Sequence, residues 1–128
     1  MMKAAILQLN VSDDPEANLK QTLSLLAQAV AEGATFVLTP EVTNCVSTSR
    51  SHQQQVLQHE AQDITLAALR AAAADAGIWL LIGSLGLKTD DADGRFANRS
   101  FLIGPQGEIV AHYDKIHMFD VQINDAET

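Results

Sequence analysis

The sequence predicts an α/β fold with a mixed sheet, and three observations predict it. Short aliphatic runs alternate with amphipathic segments of helical period, which gives the strand, helix, strand order of a βαβ unit. The later apolar runs are joined by short turns, which is typical of antiparallel strands. With 47% hydrophobic and 19% charged residues the chain has a globular composition, and its 128 residues suit one domain or part of one.

The first βαβ unit begins with a strand predicted over residues 3–11. Asp13 or Asp14 can cap the following helix, and Pro15 suits its first position. Gly33 is predicted to end this helix. Apolar residues at steps of four, three and four predict one buried helix face, formed by Leu19, Leu23, Leu26 and Val30.

The second strand of the unit is predicted over residues 35–39 and stops at Pro40, which cannot donate to a ladder. Residues 41–55 are polar and poorly patterned, which predicts a loop leading into a helix. Asp63 is a plausible cap for a helix over residues 64–76. The apolar face of that helix is predicted to contain Leu66, Leu69 and Ala73.

Three further strands are predicted in the second half, over residues 78–84, 96–103 and 108–113. Asp93-Gly94 is the turn signal before the second of them, and residues 104–107 form a tight turn before the third. Because both connections are short, these three strands are expected to run antiparallel.

The charge balance excludes several classes of function. Eight basic and sixteen acidic residues give a net charge of −8, which argues against binding to nucleic acid or to an anionic membrane surface. The N-terminal apolar run is too short and polar for a signal peptide, and no run approaches the ~18 residues of a membrane span. The single cysteine indicates a reducing compartment, so we expect a cytoplasmic protein.

Glu41 is the first candidate catalytic residue, because it directly follows a buried strand at the carboxyl edge of the sheet. A carboxylate held there by the preceding Pro40 can act as a general base. The alternative is an exposed loop glutamate or a cap for the next segment.

Lys115 is the second candidate, since it lies just past the last predicted strand. A lysine in that position can stabilise a developing oxyanion. The alternative is a solvated lysine that pairs with the neighbouring Asp114.

Cys45 could pair with His52 or His59 as nucleophile and base, although a buried, inert thiol is the simpler interpretation. The histidines lack metal-ligand spacing, and the glycines form no phosphate-binding loop. We therefore expect no metal and no cofactor.

Several segments, in this order, resemble the carbon–nitrogen hydrolase (nitrilase) superfamily. The resemblance covers essentially the whole chain, and its most specific parts are a Pro-Glu pair and a Tyr-x-Lys-x-His-x-Phe run. The segments that carry it are residues 4–9, Asn18-Leu19, Gly33-Ala34, Leu38-Thr39-Pro40-Glu41, Gly83-Ser84, Asn98-Arg99-Ser100, residues 103–109 and residues 113–120. The run after Lys115 is more similar to the amidase branch than to true nitrilases.

This resemblance implies an α-β-β-α sandwich, with two facing sheets and helices outside. It implies that Glu41 is the general base and Lys115 the residue that stabilises the tetrahedral intermediate. The substrate would be a small-molecule amide or nitrile, attacked by a cysteine thiolate to give a thioester that water hydrolyses. It implies no cofactor, and a homo-oligomer.

The sequence departs from the family pattern at the nucleophile. In the family this cysteine lies well downstream of the lysine, whereas this chain stops 13 residues after Lys115 (128 − 115). Cys45 does not match that position. Residues 1–128 are therefore expected to be the N-terminal part of a single incomplete domain, inactive alone. The alternative is a non-catalytic α/β module for interaction or self-association.

Overall fold

The structure is a computed structural model that describes residues 2–90 and 94–115. Its elements are β1 (Ala4–Ile6), α1 (Pro15–Ala31), β2 (Phe36–Leu38), α2 (Arg50–Val56), a 3-10 turn (Glu60–Gln62), α3 (Ile64–Ala76), β3 (Trp79–Lys88), β4 (Phe96–Ile103) and β5 (Ile109–Asp114). The strands form one sheet in the order β1-β2-β3-β4-β5. The first three are parallel and the last three antiparallel, which confirms the predicted mixed sheet.

The first helix begins as predicted, because Oδ1 of Asp14 accepts hydrogen bonds from the backbone N–H groups of Glu16 and Ala17. Its buried face is shifted by one position from the predicted leucine stripe. The buried residues are Asn18, Thr22, Leu26 and Ala29. The shift has a polar cause, since Nδ2 of Asn18 donates to the carbonyl oxygens of Ser12 (2.8 Å) and Asn44 (2.9 Å).

The helix α3 confirms its predicted bounds, cap and face. Oδ2 of Asp63 accepts from the Leu66 N–H at 2.7 Å, and Gly77 ends the helix with a left-handed φ of 66°. Thr65, Leu66, Leu69 and Ala73 are buried. Among the helices in the described ranges, none is long and apolar enough to cross a membrane.

The strand bounds differ most at β1 and β3. The first strand has only three residues. The third continues past Ser84 to Lys88, because it resumes its pairing with β4 after an irregularity between Ile82 and Leu85. The segment predicted as a loop over residues 41–55 becomes helical from Arg50 onwards.

Two predictions fall wholly or partly outside the described residues. The turn at Asp93-Gly94 is described only from Gly94, which has a positive φ of 70°. The family-like run after Lys115 also lies beyond the described part.

The two faces of the sheet differ in burial. Val37, Leu80 and Ile103 are cross-strand neighbours in one row across the sheet, and none of them has exposed surface. Residues of α1 and α3 belong to the same core. The adjacent row has the opposite side-chain direction, because direction alternates along a strand. That second row, the outer apolar row, is less buried and consists of Ile6, Leu38, Leu81, Leu102 and Ala111.

Candidate active site

Glu41 begins a tight turn directly after β2, where Thr39 and Pro40 leave the sheet. The N–H of Thr39 still donates to the Leu81 carbonyl at 3.0 Å, so the segment leaves from a fixed point on β3. The hydroxyl of Thr43 then donates to the Pro40 carbonyl at 2.5 Å. These bonds fix the backbone on both sides of the Glu41 carboxylate.

The residue after Glu41 has a strained backbone. Val42 has a φ of 49°, in the left-handed region that β-branched residues rarely adopt. Ser84 stabilises this conformation, because its Oγ accepts from the Val42 N–H at 2.7 Å and its carbonyl accepts from the Thr43 N–H at 3.0 Å. Strain held by its surroundings in this way is common at functional sites.

Asn44 attaches the same turn to Gly86, near the end of β3. Its Oδ1 accepts from the N–H of Gly86 at 2.9 Å, and its Nδ2 donates to the carbonyl of Gly86 at 2.8 Å. The side chain is buried. Its two bonds satisfy the N–H and the carbonyl of Gly86, which lies beyond the last residue of β3 that pairs with β2. Since Asn18 also donates to the Asn44 carbonyl, α1, the turn and β3 are joined at one place.

The structure brings Glu41 and Lys115 together, although they are 74 residues apart in the sequence. Nζ of Lys115 donates to Oε2 of Glu41 in an ion pair. The Lys115 backbone N–H donates to the Asn98 carbonyl at 2.9 Å, which extends the β4–β5 pairing by one residue. The sequence alternative that paired Lys115 with Asp114 is wrong, because Asp114 pairs with Arg99 instead.

Arg99 lies opposite Asp114 across β4 and β5. Its Nε and Nη2 both donate to the Asp114 carboxylate, the latter at 2.9 Å, and its Nη1 donates to Oε1 of Glu60 at 2.7 Å. The hydrogen bonds from Arg99 lower the pKa of Asp114 below its usual range, and the same bonds raise the pKa of Arg99. We call these three residues the Arg99 cluster.

Cys45 has the environment of an inert thiol. It is only 3% exposed, and its Sγ lies 3.6 Å from the Asp13 carbonyl oxygen. Burial raises the pKa of the thiol, and the nearby charges of Asp13 and Asp14 add to this effect. The ring nitrogen Nε2 of His52 lies 2.8 Å from the same carbonyl, and His59 pairs with Asp90 at 3.3 Å. These contacts support the interpretation of Cys45 as a buried, unreactive residue.

A cavity of about 260 Å³ opens beside Glu41. It is smaller than the pockets that hold drug-sized ligands. Oδ1 of Asn98, one of the lining residues, is buried and has no hydrogen-bond partner within residues 2–90 and 94–115. Most of the wall is apolar, and its residues include Val42, Cys45, Leu57, Gly86 and Phe96.

The described part of the chain holds no group of three or more His, Cys, Asp or Glu side chains that could bind a metal. His117, one of the four histidines considered from the sequence, lies outside that part.

Three side chains near the Glu41–Lys115 pair are not among the predicted site residues, namely Asn44, Ser84 and Arg99. Asn44 and Ser84 carried no usable signal, because polar residues in a loop and at a strand end are ordinary. Arg99 did carry one: it is a charged residue within a strand, and Asp114 lies at the end of the next strand. In a hairpin of this length such residues can be cross-strand partners.

Fold and site together define an α/β protein in which a carboxylate and a lysine meet at one edge of a mixed sheet. The model of the carbon-nitrogen hydrolase family matches residues 3–128. The chain belongs to that family.

Individual relatives are amidases by name. The chain is 32% identical over 121 residues to deaminated glutathione amidase of Yersinia enterocolitica and 27% identical over 124 residues to human omega-amidase NIT2. Both alignments cover 94% of this chain and 42% of the relative, so the chain spans less than half the length of these proteins.

Solved structures share the fold. The NitN amidase from Neterenkonia sp. AN1 superposes with a TM-score of 0.74 at 27% identity, over 92% of this chain and 45% of that one. The NitFhit protein of C. elegans gives a TM-score of 0.82 at 24% identity, over 96% of this chain and 31% of that one. The nitrilase-like fold predicted from the resemblance is confirmed.

Proposed function

We propose that the chain is the N-terminal part of an enzyme that hydrolyses small amides, with nitriles as the less favoured substrates. The observation that carries the proposal is the Glu41–Lys115 ion pair, formed by the two residues that match the family motifs. The amidase names of its relatives support an amide substrate. The small cavity beside Glu41 is compatible with a small acyl group.

In this proposal Glu41 is the general base. Its carboxylate takes the proton of a cysteine thiol, and the thiolate attacks the amide carbon. Lys115 stabilises the negative charge that develops on the amide oxygen. The nitrogen leaves as ammonia or an amine after it takes up a proton, and a thioester remains. Water activated by Glu41 then attacks the thioester, which releases the acid and the free thiol.

We assign the nucleophile to a segment that lies beyond residue 128. The thiol of Cys45 is buried against Asp13, and its raised pKa disfavours the thiolate that this chemistry needs. The chain alone is accordingly expected to be inactive, as an incomplete domain over residues 1–128. We place it in the cytoplasm, in agreement with its single cysteine.

The gene sequence downstream of codon 128 provides the first test. The proposal expects a continuous reading frame that contains a cysteine at the end of a further apolar strand. A stop codon directly after Thr128 in the genome would exclude the enzymatic proposal for this chain.

The second test uses the longer protein that the continued reading frame encodes, which we call the longer product. It measures the ammonia that this protein releases from small amides. Glu41→Gln should lower kcat by about 10²-fold or more, since it removes the base and keeps the side-chain volume. Lys115→Ala should lower kcat by about 10²–10³-fold, because oxyanion stabilisation acts in the transition state.

The matched controls are Glu32→Gln and Lys20→Ala, two exposed positions on α1 and its cap. Both should leave kcat near normal. A near-normal kcat in Glu41→Gln or Lys115→Ala would show that the role assigned to that residue is wrong. Amidase activity that co-purifies with the 128-residue chain would contradict the expected inactivity of that chain.

A second candidate function is a non-catalytic module that self-associates. The observation that favours it is the outer apolar row, in which Ile6 is 74% exposed. Trp79 (40%) and Tyr113 (61%) are further exposed aromatic residues of the sheet. Exposed apolar surface of this kind drives association between copies.

A further inference from the structure

The Arg99 cluster acts on the residue directly before Lys115. Asp114 is the last residue of β5, and Arg99 holds its carboxylate through two parallel hydrogen bonds. A bidentate pair of this kind fixes orientation as well as distance. The Arg99 side chain is 23% exposed, which makes its pair with Asp114 less screened by water than a fully exposed ion pair.

The contact adds to the backbone pairing with β4 at an exposed end of the strand. The strand lies at the edge of the described sheet, and its residues from Val110 to Asp114 are all exposed. Exposed strand ends with few apolar contacts open locally at low free-energy cost. If β5 opened at Asp114, the hydrogen bond from the Lys115 N–H to Asn98 would be lost next.

The cluster is itself anchored on a separate element. Nη1 of Arg99 donates to Glu60, which lies in the turn before α3. That turn is attached to β3 by the bridge between His59 and Lys88 and by the Lys88 N–H, which donates to the Gln58 carbonyl at 2.9 Å. Arg99 therefore connects the end of β5 to the turn before α3 and not only to its neighbouring strand.

We propose that Arg99 is a positioning residue, which holds the end of β5 through Asp114 and Glu60 so that the Lys115 ammonium stays against the Glu41 carboxylate. The catalytic meaning of this contact rests on the proposed function. The contacts of Arg99 with Asp114 and Glu60 lie entirely within the described residues.

The test reads the Lys115–Glu41 contact directly. In the ¹⁵N-labelled 128-residue chain, the Nζ signal of Lys115 is assigned by its loss in Lys115→Arg. The measured quantity is the shift of that signal caused by Glu41→Gln. If Arg99 positions Lys115, this shift should fall by about half or more in the Arg99→Gln background. A shift of unchanged size in that background would overturn the proposal.

Arg70→Gln is the matched control. Nε of Arg70 donates to the Gly107 carbonyl at 2.7 Å, in the turn at the other end of the β4–β5 hairpin from Arg99. It should leave the Glu41-dependent shift unchanged. Arg99→Lys keeps the charge but cannot make two parallel bonds, so it should restore only part of the shift.

Asp114→Asn is a second variant, for the case in which Arg99→Gln does not fold. It weakens the pair with Asp114 but keeps Arg99 and its bond to Glu60. The same reduction of the shift is expected. If Arg99→Gln and Asp114→Asn both unfold the chain, Arg99 is a residue of the fold and the proposal is overturned. Since no turnover is measured, an inactive longer product would contradict the proposed function and leave this result standing.

Discussion

Gly83 lies where the segment that contains Glu41 passes closest to β3. A Cβ at this position would lie 2.5 Å from the Pro40 carbonyl oxygen and 2.6 Å from its carbonyl carbon, and still closer to the Thr39 carbonyl oxygen. These are backbone atoms that cannot rotate aside. The lack of a side chain at Gly83 therefore permits the approach that places Glu41 at the sheet edge.

Gly83→Ala should accordingly destabilise the chain by roughly 1–3 kcal/mol, because the turn must move away from β3. The free energy of unfolding in urea measures this loss. Gly86→Ala is the matched control on the same strand, where the nearest atom to a new Cβ is a flexible Leu57 side-chain carbon at 3.4 Å. Equal losses in the two variants would contradict the argument.

The candidate residues themselves could be predicted from sequence, but their contact could not. Glu41 and Lys115 each follow a recognisable strand, and the family resemblance gives both a role. Their contact depends on the register of three intervening strand pairs and on the irregularity between Ile82 and Leu85. Alternation selects the face that each strand buries, but it does not locate such an irregularity or the register beyond it.

Among the helices and strands, the helix ends follow most directly from the sequence. Asp63 caps α3 as predicted, and Asp14, one of the two predicted candidates, caps α1. A short polar side chain before a periodic apolar segment favours this role. The extension of β3 was not predictable from periodicity. Gly83 and Gly86 weaken a strand pattern, yet here Gly83 admits the turn and the backbone of Gly86 binds the Asn44 side chain.

Asp63 gives α3 a pH-dependent stability. It is only 4% exposed, and burial raises the pKa of its carboxyl above the ordinary value of 3.8, while hydrogen bonds from Leu66 and Thr65 oppose the rise. The folded chain therefore holds the proton more tightly than the unfolded chain. The resulting stability is fully present below 3.8 and is lost as the pH rises through the higher folded-state pKa.

Asp63→Asn should keep the cap and lose this pH dependence, since Asn also accepts from the helix N–H groups. Relative to the Asp63 chain, the variant should gain stability as the pH rises from about 3 to about 7. Urea unfolding at several pH values measures the difference. A difference that stays constant over this range would show that Asp63 does not titrate with folding.

The sheet as a whole has one well-buried face and one partly exposed face. Val37, Leu80 and Ile103 lie under α1 and α3, whereas their strand neighbours Leu38, Leu81 and Leu102 retain exposed surface. Alternation predicts this opposition from sequence once the strands are placed. It does not predict what covers the second face. The family's two-sheet arrangement makes a second sheet the expected cover.

The exposed face leads to a prediction for the isolated 128-residue chain. Ile6 and Trp79 present large apolar surface, and burial of such surface stabilises association by about 25 cal/mol per Å². Light scattering after size exclusion should therefore give a mass above 13.8 kDa at micromolar concentration. The double variant Ile6→Ser/Trp79→Ser should shift the chain towards monomer. Ile64→Ser, at an exposed apolar position that begins α3, should not. A wild-type chain that stays monomeric would exclude the self-association module and leave the enzyme proposal untouched.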